Sequence, residues 1–455
     1  MAQLPQSHTA SFTAPVLLQG HLRLRRQQEL PFSSLSSRCT TVTFASVLPS
    51  NATLVYAVPY GGNSTFDGSI SNLPSLCALY FNVTSSNSSS FDVGLWLPVD
   101  TWNNGFIAYE NGGFVGQAAC TDMAKGLDYG FAAVSTNTGH NSSFMSSADG
   151  DWALNAPEKR TDWGWRALHG SMFPDDFDGV VTGAPSWWIT HLQQWNLKVA
   201  TYNLPNTTSY HIPQALISAI ADEVFRQWDD VDGLGDGIIT NPCLTTDQIG
   251  SLYKLYNDWI EVNQTSEAQW SQAIISSNES SPGGFGYARY FLYNDSNWTW
   301  EDLDYSTVQL AEEFNPGNAT ADDYDLRPFM ERGGKLIHYH GLADGSISMG
   351  LLQPKGVQLS DFYWLFLIPG IANQAGSRPQ CPRRSGPQTR RFTGPALISW
   401  VENNTAPNEI IATKLTDDDP SQGVMMQRPL CSHPKEAKYV SGNPNVTTSF
   451  ECEVI

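Results

Sequence analysis

Short apolar segments alternate along this chain with stretches of helical spacing, and each apolar segment is stopped by glycine, proline or a polar loop. Tyr129–Ser135 (YGFAAVS) is predicted to be a buried strand running into the polar loop Thr136–His140. Arg160–His169 has helical spacing, and Asp178–Pro185 is again a short strand, closed by Gly183 and Pro185. Strands that alternate with helices predict an α/β protein with a parallel, doubly wound sheet. Upstream, Ala52–Val58 and Ser90–Pro98 are partly alternating apolar runs between Asn, Ser and Gly clusters, so the first third reads as β-rich. Residues 187–331 are helical in pattern, rich in Trp and studded with sequons, as an inserted lid would be. Lys335–His340 returns to the sheet, and Phe362–Ile368 is predicted as its last strand. Residues 1–38 form an atypical start, leaving 39–186 and 332–455 as the two parts of the main domain.

At 455 residues with 41% hydrophobic and 12% aromatic side chains, the chain can bury a sizeable core. A formal charge of −20 argues against nucleic acid and anionic membrane surfaces as partners. No apolar run is long enough to span a membrane. Asn-X-Ser/Thr sequons stand at Asn51, Asn63, Asn82, Asn87, Asn141, Asn206, Asn263, Asn278, Asn294, Asn297, Asn318, Asn403 and Asn445, a density that points to a secreted glycoprotein. Met1–Arg38 holds no apolar run of leader length, so the secretory reading implies a misassigned start. The seven cysteines are an odd number. In an oxidising compartment Cys39 with Cys77, and Cys431 with Cys452, are candidate pairs, which leaves Cys120, Cys243 and Cys381 without obvious partners.

The densest local constellation is Asp229–Ile238 (DDVDGLGDGI). Its carboxylates, interleaved with glycines, would repel one another unless a hard cation neutralised them, and Ca²⁺ favours carboxylate and backbone carbonyl oxygens. The candidate ligands are Asp229, Asp232, Leu234, Asp236 and Ile238, with Gly233, Gly235 and Gly237 supplying the tight backbone. No Glu stands at the twelfth position, so this is not an EF-hand; a solvated acidic turn is the plain alternative.

That loop, continued by Ile239–Cys243, resembles the calcium loop of the tannase and feruloyl esterase family. Similar in the same way are Asn111–Gly116, Gly130–His140, Phe177–Pro185, His340–Gly345, Thr416–Gly423 and Arg428–Cys431, spread over roughly residues 39 to 455. The resemblance implies an α/β-hydrolase fold with an inserted lid, a structural Ca²⁺ and a Ser-Asp-His triad. It implies a secreted enzyme that cuts feruloyl, galloyl or related aromatic esters derived from plant cell walls.

Measured against that expectation, two catalytic groups are absent from the sequence. A serine esterase of this kind needs its nucleophile on a sharp strand-to-helix turn, Gly-X-Ser-X-Gly, and none occurs. The elbow belongs between His169 and Phe177, where the chain passes directly through Gly170–Asp176; Ser171 matches a position before the elbow. A strand, elbow and helix require on the order of 30 residues, so the central strand and the elbow are read as deleted. Asp344, just after a sheet strand, is the expected triad acid. The family histidine follows a strand ending in Pro-Gly, but Phe366–Gly370 leads into Ile371–Arg378 without one. From Phe362 to Val401 there is no Asp or Glu, yet Arg378, Arg383, Arg384, Arg390 and Arg391 cluster there, as in sequence read out of frame or through an intron. His140, His169, His191, His211, His338 and His340 all precede the acid and are read as structural.

The resemblance also implies a disulfide joining the neighbours of the serine and histidine, and both of those cysteines fall in the missing stretches. Cys243 is orphaned because Trp228 occupies its expected partner's position, and Cys381 lies inside the aberrant stretch. Backbone N–H groups of the Gly112–Gly113 turn are the remaining oxyanion candidates, against a turn kept for packing alone. Three outcomes stay open: a defective gene model of an active esterase, a non-catalytic relative binding aromatic or cell-wall ligands, and a decayed gene.

Overall fold

A computed structural model describes residues 37–142, 149–167, 176–201, 284–321, 325–342, 359–369, 390–416 and 422–454, with scattered positions between 203 and 235. The chain divides into two compact units, one comprising the described residues up to Glu110 plus Ala118–Asn137, the other Asn111–Gln117 plus the described residues from Thr138 onward.

The first unit opens with α1 (Thr41–Ala45), whose N-terminus is capped by the Thr40 hydroxyl accepting from the Thr43 amide at 3.2 Å. The strands β1 (Ala52–Tyr60), β2 (Ser64–Phe66), β3 (Ile70–Leu73), β4 (Leu76–Thr84), β5 (Ser90–Pro98) and β6 (Phe106–Tyr109) follow, then helix α2 (Cys120–Asp128) and β7 (Ala132–Thr136). Five of them form a sheet in the order β1-β4-β5-β7-β6. The β-rich first third is a mostly antiparallel sheet, whereas the parallel sheet was expected from the strands that alternate with helices. β1, β4, β5 and β7 pair antiparallel, and only β6 lies parallel to β7. The reason is local: the five-residue turn 85–89 closes a hairpin, whereas a parallel pair needs a crossover of a dozen residues or more.

Met123 and Leu127, one helical turn apart on α2, pack with Trp96, Leu76, Ala78 and Ala133, all of them essentially removed from solvent. On other residues of β4, Cys77 and Leu79 cluster with Cys39, Leu54 and Phe44. Cys39 is bonded to Cys77, one of the two candidate pairs. Gly130 ends the α2 turn at φ +81° with the Thr101 carbonyl 2.5 Å from where a Cβ would stand, so no other residue fits without displacement.

The second unit contains α3 (Pro157–Thr161), β8 (Gly179–Gly183), α4 (Ile189–Thr201), α5 (Tyr305–Phe314), α6 (Arg327–Glu331), β9 (Lys335–Gly341), β10 (Tyr363–Ile368) and α7 (Arg390–Asn403). Strands β10, β9 and β8 make a three-stranded parallel sheet, in that order. Its strands β9 and β10 are largely buried and mostly apolar, with His338 and His340 the buried polar exceptions on β9. Ile337, Tyr339, Phe366 and Ile368 pack with Trp400 of α7, while Leu336, Tyr363 and Leu365 pack with Phe329 of α6. Two hairpins complete the unit, β11 (Glu409–Leu415) with β12 (Val424–Cys431) and β13 (Lys435–Tyr439) with β14 (Phe450–Val454). Cys431 of β12 is bonded to Cys452 of β14, the second expected disulfide.

The start of α4 is finished by a side chain from another helix. Glu312 of α5 accepts from Trp188 Nε1 at 3.1 Å and from the Thr190 hydroxyl, and lies 3.2 Å from His191 Nε2. One carboxylate of α5 thereby gathers three side chains around the start of α4.

Among the described residues β6 lies at one end of the five-stranded sheet and β8 at one end of the three-stranded sheet.

Candidate active site

In parallel α/β sheets, ligands bind beyond the carboxyl ends of the strands. The two loops assigned catalytic roles leave that same edge of the three-stranded sheet. Gly341, the last residue of β9, pairs with Ile368, the last of β10, and the Leu342 amide donates to the Ile368 carbonyl at 2.9 Å. The Asp344 loop therefore begins beside the segment after Pro369, where the family histidine was sought. Asp344 itself lies outside the described residues, as do Asp232, Asp236 and Ile238 of the acidic loop, Cys243 and Cys381. Asp229 and Leu234 are described and half-buried, and Gly233 between them adopts φ +90°, the left-handed turn expected of its glycine. Cys120 is a free thiol, half-buried at the first turn of α2, and burial pushes its pKa up.

Two histidines of β9 are buried beneath this edge. His338 and His340 point to one face, two residues apart, each 1% exposed. His338 Nδ1 is 2.8 Å from the Tyr363 hydroxyl, and its ring meets Trp187 edge-on at 6.2 Å. Burial, then neighbouring His340, lowers the His338 pKa to about 3, so it is neutral at any ordinary pH.

The Gly112–Gly113 turn is braced by residues that spacing alone did not single out. Trp163 Nε1 donates to the Gly113 carbonyl at 2.9 Å, the Thr138 hydroxyl donates to the Val115 carbonyl at 3.1 Å, and the Gly116 amide donates to the Ser142 carbonyl at 2.9 Å. Gly112 and Gly113 are both exposed, and Gly113 takes φ +59°. Next to the turn, the His140 ring stacks on Trp152 with centroids 3.7 Å apart, inside an aromatic cluster that includes Phe114, Trp163 and Phe291.

Ser142 Oγ lies 2.7 Å from His140 Nδ1, the spacing of a nucleophile and its base. The chemistry does not follow. Burial, then the Lys159 charge, lowers the His140 pKa to about 3, and its Nε2 is buried with no hydrogen-bond partner among the described residues. A base that resists protonation and has no carboxylate behind it cannot carry the serine's proton at neutral pH. The pair is a packing element, and the sequence signal that could have flagged it is the His-X-Ser at the end of a buried strand's loop.

Gly116 is the residue that lets the ring sit there. A Cβ at this position would stand 2.2 Å from His140 Nδ1 and 2.6 Å from its carbonyl oxygen. Gly116→Ala is expected to destabilise the protein by about 1–3 kcal/mol, the usual cost of overpacking, read as a shift in the urea midpoint at constant slope. An unchanged midpoint would remove Gly116 from this account.

The family model described as tannase and feruloyl esterase matches residues 79–172, 169–253 and 245–453. This chain belongs to that family. It is similar to a probable feruloyl esterase B-1 of Aspergillus fumigatus, 28% identical over 479 aligned positions covering 86% of the chain and 88% of the relative. A probable feruloyl esterase B-2 of Aspergillus terreus is 26% identical over 533 positions, covering 97% of the chain and 99% of the relative. Among solved structures, feruloyl esterase B from Aspergillus oryzae superposes with a TM-score of 0.75 at 24% identity, covering 92% of this chain and all of that one. Tannin acyl hydrolase from Aspergillus niger superposes at 0.66 with 18% identity, covering 91% and 95%. These are α/β-hydrolase-fold proteins, and the mixed sheets and helices of this chain share that fold class. The family and its named members are carboxylic ester hydrolases.

Proposed function

We propose that this chain is a secreted, calcium-binding relative of the feruloyl esterases, of a lineage that cleaves feruloyl or galloyl esters through a serine acyl-enzyme. As written it lacks both the serine and the histidine and is inactive. The observation that carries the reading is the shortness of residues 168–176, between the described helical turns ending at Ala167 and the approach to β8. A strand, elbow and helix cannot be made from so few residues.

Three further facts support it. The alignment with the Aspergillus terreus relative spans 533 positions against a chain of 455 residues, so parts of that relative have no counterpart here. One piece of the family match ends at residue 172 and the next begins at 169, at the place where the elbow is sought. Finally, the five-stranded and three-stranded sheets each end on a parallel strand, β6 and β8, the kind of edge that α/β proteins ordinarily cover. In this reading Asp344 is the surviving acid, the Gly112–Gly113 turn the surviving oxyanion donor, and residues 187–331 the lid.

The acidic loop's donor set fits a hard cation. Asp229, Asp232 and Asp236 offer carboxylates, Leu234 and Ile238 offer carbonyls, and Gly233 at φ +90° supplies the tight turn. Bound there, Ca²⁺ would cancel the carboxylates' mutual repulsion and fasten the lid. Free Ca²⁺ at a hundred times Kd is expected to add about 2.7 kcal/mol of stability, seen as a fall in Tm on chelation, and Asp232→Asn should erase that difference. A melt indifferent to chelator would remove the cation from the proposal.

A serine-directed phosphonate tests the catalytic reading. No serine of the purified chain should be phosphonylated; stoichiometric labelling with loss of ester turnover would expose a nucleophile and overturn it.

A further inference from the structure

The sequence treats all thirteen sequons alike, but the fold does not. Two close pairs make the contrast. Asn82 and Asn87 belong to one hairpin, Asn82 on β4 and Asn87 at the tip of the turn that follows it. The Asn82 amide nitrogen donates to Ser90 Oγ at 3.1 Å and to Asp92 Oδ1 at 2.8 Å, so both of its protons are committed. Asp92 is in turn held by the Tyr80 hydroxyl at 3.0 Å and by Asn137 Nδ2 at 3.0 Å, which ties β4, β5 and the end of β7 into one network. Asn87 is exposed on its turn. Likewise Asn294 is half-buried at φ +53°, its amide nitrogen 2.7 Å from Asn155 Oδ1 and its Oδ1 accepting from the Asn155 amide at 2.6 Å, while Asn297 is exposed.

We infer that Asn87 and Asn297 carry N-linked glycans and that Asn82 and Asn294 are bare in the folded protein. The inference rests on the secretory part of the reading above. In the modification, the asparagine amide nitrogen attacks the anomeric carbon of a lipid-pyrophosphate-linked oligosaccharide. An N–C bond forms, the C–O bond to pyrophosphate breaks, and the amide proton leaves with the lipid pyrophosphate. A sugar on Asn82 would remove one donated proton and occupy the space of Ser90 and Asp92. That leaves the Asp92 carboxylate under-bonded in the middle of the sheet. Chains modified there cannot close the β4–β5 pair, so the folded population is the one that escaped. Sequence alone does not predict this, because Asn82-Val-Thr is a complete sequon and no worse a motif than Asn87-Ser-Ser.

The test uses the full chain behind an added leader in a eukaryotic secretory host. Protease-resistant protein is recovered from medium and microsomes, and glycoamidase release in heavy-oxygen water, which hydrolyses the side-chain amide, marks each occupied asparagine as labelled aspartate. Label is expected at Asn87 and Asn297 and not at Asn82 or Asn294. Label at Asn82 in protease-resistant material, or none at Asn87, overturns the inference. Asn82→Gln should leave the glycan number unchanged, whereas Asn87→Gln should lower it by one. The secretory reading fails separately, if the chain expressed from its own transcript stays in the cytosol with Asn87 bare.

Discussion

With methyl ferulate or methyl gallate and Ca²⁺, the chain as written is expected to show no hydrolysis above background, and restoring two segments should create it. The first is a strand, elbow and helix placed between His169 and Phe177; the second is a histidine-bearing loop in place of the stretch after Gly370. The alignment with the Aspergillus terreus relative runs longer than this chain, so that relative is the template from which both inserts are drawn. In triad hydrolases, loss of the serine or the histidine costs about a million-fold in kcat, on the order of 8 kcal/mol of barrier. Either segment alone should therefore restore almost nothing, because the triad acts as a unit. Both together should restore turnover that Asp344→Asn abolishes. If the doubly restored chain folds cooperatively and remains inactive, the assignment of Asp344 or of the two loops is wrong. Transcript sequence across Gly170–Met172 and Gly370–Trp400 would then say whether the gene encodes the segments at all.

The second large effect is a loss of stability in acid. His140 and His338 are buried neutral, with pKa values lowered to about 3 by burial. In the unfolded chain both titrate near 6.5. Between about pH 6.5 and pH 3 the unfolded state therefore binds the extra protons, and stability rises with pH across that window. The contribution is full above pH 6.5 and drains as the pH falls, by at most about 5 kcal/mol per histidine and about 3 by pH 4. Urea melts at pH 7 and pH 4 measure it. The double variant His140→Asn, His338→Asn should be less stable at pH 7, where it loses the Trp152 stack and the Tyr363 contact, yet lose less between pH 7 and 4. Equal losses in parent and variant would mean that neither imidazole is held neutral by the fold. Carboxylates that also titrate in this range are common to both proteins and cancel in the comparison.

Much of this molecule is local and was legible in the chain itself. The strands at Ala52–Tyr60, Ser90–Pro98, Ala132–Thr136, Gly179–Gly183, Lys335–Gly341 and Tyr363–Ile368 fall where apolar runs meet glycine, proline or polar stops. Such runs carry their own signal, since side-chain period and turn residues are properties of neighbours in sequence. The two disulfides were legible as candidate pairs for an oxidising compartment. Their bonding is a matter of three-dimensional approach, 5.6 Å between Cα atoms for Cys39–Cys77 and 5.7 Å for Cys431–Cys452. The family motifs were legible too, because a Gly-Gly turn or an acid–glycine loop is contiguous.

Pairing partners were not. That β7 pairs antiparallel with β5 and parallel with β6 depends on contacts between segments far apart in the chain, which local strand and helix signals do not reach. Burial was equally hidden. Nothing in Thr-Gly-His marks His140 as an imidazole stacked on Trp152 and unable to take a proton, and a Ser–His spacing of 2.7 Å looks catalytic until its surroundings are counted. Asn82 and Asn87 are both complete sequons, yet Asn82 lies on β4 with its amide held by Ser90 and Asp92 of the neighbouring strand, while Asn87 is exposed on the turn. Composition, strand limits and motifs thus belong to the sequence, which encodes local preference. Register, protonation state and the accessibility of a side chain belong to the tertiary structure, because each is decided by what distant residues bring within a few ångströms.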